Sequence, residues 1–446
     1  GSAHVHTLPR TVWIQLSEDG KTVRIQFYGK HYKSGTYKDV KESETIVITL
    51  SNGSNKPKRR ENTVLVRTRD TQEDKSGKRA TQAEIRESQE DDLEMVNNGI
   101  QTIKHLFPPE ELERDSNLKF CGIPKTIRKH QGKNRKKFEW EEVRFSNDFS
   151  EVCKTGQVKC DTAGTIVTEF RTNDKFRIAE FLTYTVEQIH LKGKVHRDVK
   201  PINILVHYNE ARQCPEGFLT DYDLITDFGS NETKSEYEYW DLCSEKGFVL
   251  PTADIFGVAM CLGSSIFGAK YPEILSSARH HYDIREIEST INEFHGKYIN
   301  LKIVPLYKDI NTSSLLRKQL RDYLQWVSNR AIRDGRPVPD IDEIKEVLDS
   351  IIKANPEKET SILTILADCY AAQELSQLLF EIHKADLDLF TFIMKDPKGK
   401  DLALALGNES VSLEDKLEMI QALYVKFPIF KEFRGRLKNI RTNWEH

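Results

Sequence analysis

The sequence predicts an α+β fold, and three observations carry that prediction. The first 70 residues alternate apolar and polar positions, one long amphipathic stretch follows, and almost everything after residue 173 has helical periodicity. Residues 11–16 and 22–28 read as strands joined by the turn Glu18-Asp19-Gly20-Lys21. Residues 44–50 and 62–67 read as a second pair, linked by a Ser/Asn/Pro/Lys-rich turn. Leu93, Val96, Ile100, Ile103 and Phe107 then recur at i+3/i+4 spacing, which predicts a helix over about 80–107 that Pro108-Pro109 ends. Residues 118–165 look mixed and irregular, and 164–170 read as a buried strand. Ile178, Phe181, Leu182, Val186 and Ile189 mark an amphipathic helix that stops at Lys192-Gly193. Residues 254–262 are apolar almost all round, as a buried central helix requires. Helical patterns continue over 314–332 and 341–353. About four more fill 359–446, with breaks near Pro397 and at Gly407-Asn408.

A chain of 446 residues has room for two to four domains and a substantial core. With 38% hydrophobic and 30% charged residues it belongs to the globular class with a heavily charged surface, and no apolar run is long enough to span a bilayer. No basic stretch followed by an apolar one opens the sequence, so no secretory leader is expected. Seven dispersed cysteines with no CxxC pair point to a reducing compartment, and against a disulfide framework or a zinc site. The net charge of −3 hides a basic block over 119–137, with eight Lys/Arg and no acid, and a second cluster at 56–60. Both read as solvated loops or as contacts for phosphate-bearing partners, with a phosphoinositide or other anionic partner expected through 119–137.

The chemistry concentrates in His196-Arg197-Asp198-Val199-Lys200-Pro201-Ile202-Asn203. A carboxylate, an ammonium and an amide oxygen on one short loop are what phosphoryl transfer from ATP to a hydroxyl needs: a base, a cation for developing charge and a metal ligand. An apolar run, Ile204-Leu205-Val206, follows directly.

This loop, the lead-in His190-Leu191-Lys192-Gly193-Lys194-Val195-His196, Asp254 at the start of an apolar helix and the late Arg333-Asp334-Gly335-Arg336-Pro337 together resemble the eukaryotic-type serine/threonine protein kinases. The resemblance spans roughly residues 20–353 and implies a bilobal protein-kinase-like fold. Residues 1–172 would form a β-rich N-lobe with extra strands and a basic insertion, 173–353 a helical C-lobe, and 354–446 an extra helical module. It implies ATP and Mg²⁺ as cofactors and a protein hydroxyl as acceptor. Asp198 would be the catalytic base, Lys200 would steady the transferred group, and Asn203 would hold Mg²⁺. Asp221-Tyr222-Asp223 lies 18 residues after Asn203 and Asp227-Phe228-Gly229 lies 24 after; Asp221 is preferred as the second metal ligand, with Asp227 as the alternative.

The first part departs from the family pattern. Gly29 and Gly35 are the nearest match to a glycine-rich phosphate loop. Arg67 stands where a strand lysine is expected, and Arg is not equivalent to Lys there. Glu90, with Glu87 second, would be its helix partner. Thr168-Glu169-Phe170 would be the hinge that meets adenine. Ser230, Thr233, Ser235, Tyr237 and Tyr239 are phosphorylation candidates in the activation segment, and Glu245 would pair with Arg336.

Intact Asp198, Lys200 and Asn203 favour an active kinase. Arg67 and the thin glycine loop favour a pseudokinase or binding scaffold, and the basic block motivates a lipid or small-molecule acceptor. The trimmed hinge-to-loop stretch and the extra C-terminal helices resemble effector kinases of intracellular bacteria of the Legionella type. That resemblance implies a host protein substrate and the host cytoplasm. Residues 354–446 would then dock a partner protein or brace the second lobe.

Overall fold

A computed structural model describes residues 12–16, 21–34, 38–49, 57–68, 82–123, 127–132, 135–143, 145, 147–161, 164–229, 239, 241–328 and 341–444. The alternating N-terminal segments form strands β1 (Val12–Leu16), β2 (Thr22–Ser34), β3 (Lys38–Thr49) and β4 (Pro57–Thr68). With β5 (Ile127–Gly132) and β6 (Arg135–Val143) they make one antiparallel sheet in the order β1-β2-β3-β4-β6-β5. Helix α1 (Gln82–Leu106) stands between β4 and β5 in sequence and is followed by the short α2 (Pro109–Arg114). The stripe read from the sequence is the one α1 buries, since Val96, Ile100, Ile103 and Phe107 are all inaccessible. Pro108 and Pro109 divide the two helices, because proline cannot supply the N–H that continuation needs.

The stretch that reads as irregular is more ordered than its composition suggests. It holds β5, β6, β7 (Asn147–Asp148), α3 (Phe149–Thr155) and β8 (Gln157–Lys159). The strand expected over 164–170 is only β9 (Val167–Glu169), which forms a two-stranded hairpin with β8. Nor is it buried: Ile166 and Val167 are exposed.

Beyond β9, α4 (Thr172–Leu191) leads through β10 (Lys194–Val195) into a 3-10 turn at Pro201–Asn203. The hairpin β11 (Ile204–Asn209) and β12 (Cys214–Leu219) follows, with β7 on its other edge. Next, β13 (Thr226–Asp227) returns antiparallel to β10. The helical remainder comprises α5 (Leu242–Glu245), α6 (Thr252–Phe267), α7 (Tyr271–His280), α8 (Ile284–Ile303), α9 (Leu306–Asp309), α10 (Ser314–Ser328) and α11 (Ile341–Ala354). It closes with α12 (Glu359–Lys395), α13 (Pro397–Leu406), α14 (Leu413–Lys426) and α15 (Ile429–Asn443). The break at Pro397 is a capped restart. Pro397 takes the first helical position, where its missing N–H costs nothing, and the Asp396 carboxylate accepts the Lys398 N–H at 2.8 Å.

Helix α6 is the axis of this part. Residues Ile255 to Leu262 are buried on every face, which explains why its sequence has no polar side. The last ninety residues share its core: Leu375, Leu379, Ile382 and Leu389 of α12 and Phe430, Phe433 and Leu437 of α15 belong to the same apolar cluster as α4 and α6. Ion pairs finish the seam, Arg441 to Glu180 and Arg434 to Glu187, each at 3.0 Å. No helix among the described residues is long and apolar enough to cross a membrane.

Candidate functional site

Asp254 organises the loop at 196–203. It lies in the first turn of α6 and is 1% exposed. Its Oδ2 accepts the His196 N–H and bonds His190 Nε2, and its Oδ1 accepts the Arg197 N–H, all at 2.8 Å. Burial alone would push this carboxyl up. The bond to His190, the two histidines and the backbone donor at His196 outweigh burial and hold it below its ordinary value, so it stays ionised. Meeting two successive amides with one carboxylate kinks the chain, and Arg197 takes φ +71°, a left-handed conformation unfavourable for a side chain of its size.

The kink presents Asp198. Asn203 Nδ2 donates to the Asp198 carbonyl at 3.0 Å and to its Oδ2 at 2.7 Å, while Lys200 Nζ lies 2.9 Å from Oδ1. The 3-10 turn sets this spacing: the Asn203 N–H bonds the Lys200 carbonyl, and the Thr220 N–H bonds the Asn203 carbonyl. Burial raises the Asp198 carboxyl; Lys200 opposes that, and the negative charge of Asp221 adds to it. Asp221 acts in the same way on His196, whose own value burial lowers. Asp221 itself follows the end of β12 by two residues and has φ +68°.

Tyr222 locks the next position. It is 1% exposed, donates its hydroxyl to the carbonyls of Leu219 (2.9 Å) and Cys121, and sets its ring edge-on to His196 at 5.7 Å. Helix α1 presses on it from the other side: a Cβ at Gly99 would overlap the Tyr222 carbonyl. Sequence reading passed over Gly99, although a glycine inside a helix, about 1 kcal/mol worse than alanine, signals such an approach. Asp227 is placed differently. It sits on β13 with its side chain 69% exposed, and pairs with Lys194 at 2.6 Å across the ribbon.

No family model and no curated protein sequence matches this chain. Among solved structures, vaccinia related kinase 3 aligns with 13% identity over 58% of this chain and 70% of that one, at a TM-score of 0.35. At that distance the likeness decides nothing, and the reading rests on the side chains above.

The other expected residues are dispersed or lie elsewhere. Glu169 is exposed beside Arg171, and Phe170 is buried against Phe149 beneath the Lys175 ammonium. These two sit on the β8–β9 side and not where the chain leaves the six-stranded sheet, which it does after Val143, entering β7 beside β11 at Asn147. Arg67 lies on β4 and Glu87 and Glu90 on α1, with side chains outside the described set; Gly35, Arg336 and residues 230–238 lie outside the described residues altogether. Lys119, the first residue of the basic block, is no surface contact: it is 5% exposed, 3.4 Å from Glu216 and over the ring of Phe218.

Glu245 meets Arg279 at 3.8 Å and His280 at 3.0 Å. Arg279 is fully buried, also lies 3.5 Å from Asp386 of α12, and packs over Phe256. Neither Arg279 nor Asp386 stood out in the sequence, because a charge on a helix looks like solvated surface until its partner is known. No group of three or more His, Cys, Asp or Glu positioned to hold a metal occurs among the described residues.

Proposed function

We propose that this chain is a phosphotransferase of protein-kinase-like fold that moves the γ-phosphoryl group of ATP to a serine or threonine hydroxyl of a protein. The observation that carries the reading is Asp198, clamped at once by Asn203 and Lys200, on a loop whose backbone is tied to the ionised Asp254.

In this reading the acceptor hydroxyl donates its hydrogen bond to Asp198. Its oxygen forms the new bond to the γ-phosphorus as the bond to the ADP oxygen breaks, and the hydroxyl proton passes to Asp198. A carboxyl raised by burial holds that proton better than an exposed one. Lys200, already beside Asp198, presents its ammonium to the transferring group. The donor set fits a hard cation. With Nδ2 of Asn203 spent on Asp198, its Oδ1 remains for a metal, and the Asp221 carboxylate supplies a second oxygen. So few protein ligands suit Mg²⁺, which keeps waters and substrate phosphates in its shell. When bound, it would neutralise charge on the phosphate oxygens.

The test is transfer of radiolabelled γ-phosphate from ATP to the chain itself and to serine- and threonine-bearing proteins, in parent and Asp198→Asn. Transfer by the parent and loss in the variant are expected. No transfer by the parent, with a melting temperature unmoved by ATP and Mg²⁺, would sink the reading.

A further inference from the structure

Strands β10 and β13 form a ribbon of two residue pairs, Lys194 with Asp227 and Val195 with Thr226. One strand runs directly into His196 and Asp198, and the other is reached from Asp221 through Tyr222. The ribbon thus ties the segment that enters Asp198 to the segment that follows Asp221. Two pairs are few to hold a register, so the fixed points at the ribbon's ends matter.

At the end where Lys194 meets Asp227, Gly193 directly precedes Lys194 and Gly229 follows Asp227 with Phe228 between them; both glycines are in the left-handed region, at φ +78° and φ +70°. Gly229 touches the connection between α13 and α14, and Gly193 the residue that opens α14. A Cβ on Gly229 would stand 2.6 Å from Gly407 Cα, and one on Gly407 would stand 2.9 Å from the Gly229 carbonyl, so two backbones meet there without side chains between them. A Cβ on Gly193 would stand 2.7 Å from Leu413 Cδ1. The connection is itself braced. Ser412 caps α14 by accepting the Asp415 N–H at 3.1 Å, and the Gly407 N–H bonds the Ala403 carbonyl at 3.2 Å. The Gly229 N–H is also taken, by the Val249 carbonyl at 2.6 Å.

We propose that the α13–α14 connection is a positioning element of the phosphotransfer site, in which Gly407 and Leu413 clasp the open end of the ribbon and so hold Asp198 and Asp221 in register. This rests on the function proposed above. Gly407 and Leu413 touch no reacting atom; they act through the ribbon.

Leu413 is the residue to change, because it is 45% exposed and its loss leaves the core intact. In the full chain, Leu413→Ala should lower kcat about 10-fold or more, as misplacement of reacting groups by a fraction of an ångström does, while KM for ATP moves less than about two-fold. The Mg²⁺ concentration for half-maximal rate should rise, since Asp221 is displaced, and Leu413→Met should restore both. Leu404→Ala, on the exposed face of α13 at 67% exposure, should leave the rate unchanged. Leu413→Ala turning over like the parent, or Leu404→Ala losing as much, would overturn the proposal. If the parent transfers no phosphate, the functional reading fails on its own. Amide hydrogen exchange then decides the clasp: faster exchange at 194–198 and 221–229 in Leu413→Ala supports it, and unchanged exchange refutes it.

Discussion

Asn203 holds Asp198 twice, through the main-chain carbonyl at 3.0 Å and the carboxylate at 2.7 Å. One amide nitrogen thus fixes the peptide and the side chain of the same residue, leaving Asp198 a single orientation. Asn203→Ala removes both restraints. The expected result is a kcat roughly 100-fold lower, since the base is no longer aligned. Stability should fall by about 1.5–3 kcal/mol, the worth of a hydrogen bond to a charged group, read from the urea midpoint.

Asp254 makes a pH prediction. Its carboxyl is depressed in the fold, so the stability it contributes is present above the ordinary carboxylate range near about pH 4 and is lost as pH falls through the depressed folded value. Asp254→Asn has one oxygen where two are needed, and leaves the N–H of His196 or Arg197 unpaired at a cost of about 1–3 kcal/mol. Urea titrations between pH 2 and 7 should show the variant less stable at neutral pH and flatter in acid.

Asp221 and Asp227 separate by substitution. Asp221→Ala should abolish measurable transfer and remove the effect of Mg²⁺ on the melting temperature. Asp227→Ala breaks only a largely exposed pair with Lys194, worth about 0–1 kcal/mol, and should transfer phosphate within about three-fold of the parent. The reverse pattern would move the metal site to β13.

The opposite pH trend comes from the acids around Arg279. Asp241 and Asp386 are both fully buried, and burial pushes both carboxyls up; their mutual repulsion adds to that at Asp386, while Arg279 opposes it at both, and Glu245 adds further negative charge. A raised folded value contributes stability that is full below the unfolded value near about 4 and fades as pH climbs through the folded one. Acidifying from pH 8 to 5 should therefore raise the melting temperature. Asp241→Asn keeps the amide-accepting oxygen that caps α5 through the Ser244 N–H, and should lose part of that rise.

What was legible in the sequence was local. The loop at 196–203 works through side chains at most five residues apart, so order along the chain nearly equals arrangement in space. Asp254 was legible for a second reason: an acid opening an otherwise apolar helix needs buried donors. Strand β6, Arg-Lys-Lys-Phe-Glu-Trp-Glu-Glu-Val, was missed because its charges outnumber its apolar residues, and it read as part of a basic loop. Arg279 with Asp386, and Gly99 with Tyr222, stand more than a hundred residues apart, and no periodicity links such pairs.

The seam between α4 and α15 has a consequence for how the protein is made. Arg441 and Arg434 reach back to Glu180 and Glu187 on the helix that leads into the loop at 196–203. A ribosome adds about 5–20 residues per second, so α4 emerges many seconds before the helix that covers it. For most of that interval a nascent chain would already carry every residue of the proposed reaction, without the ion pairs that α15 supplies to α4.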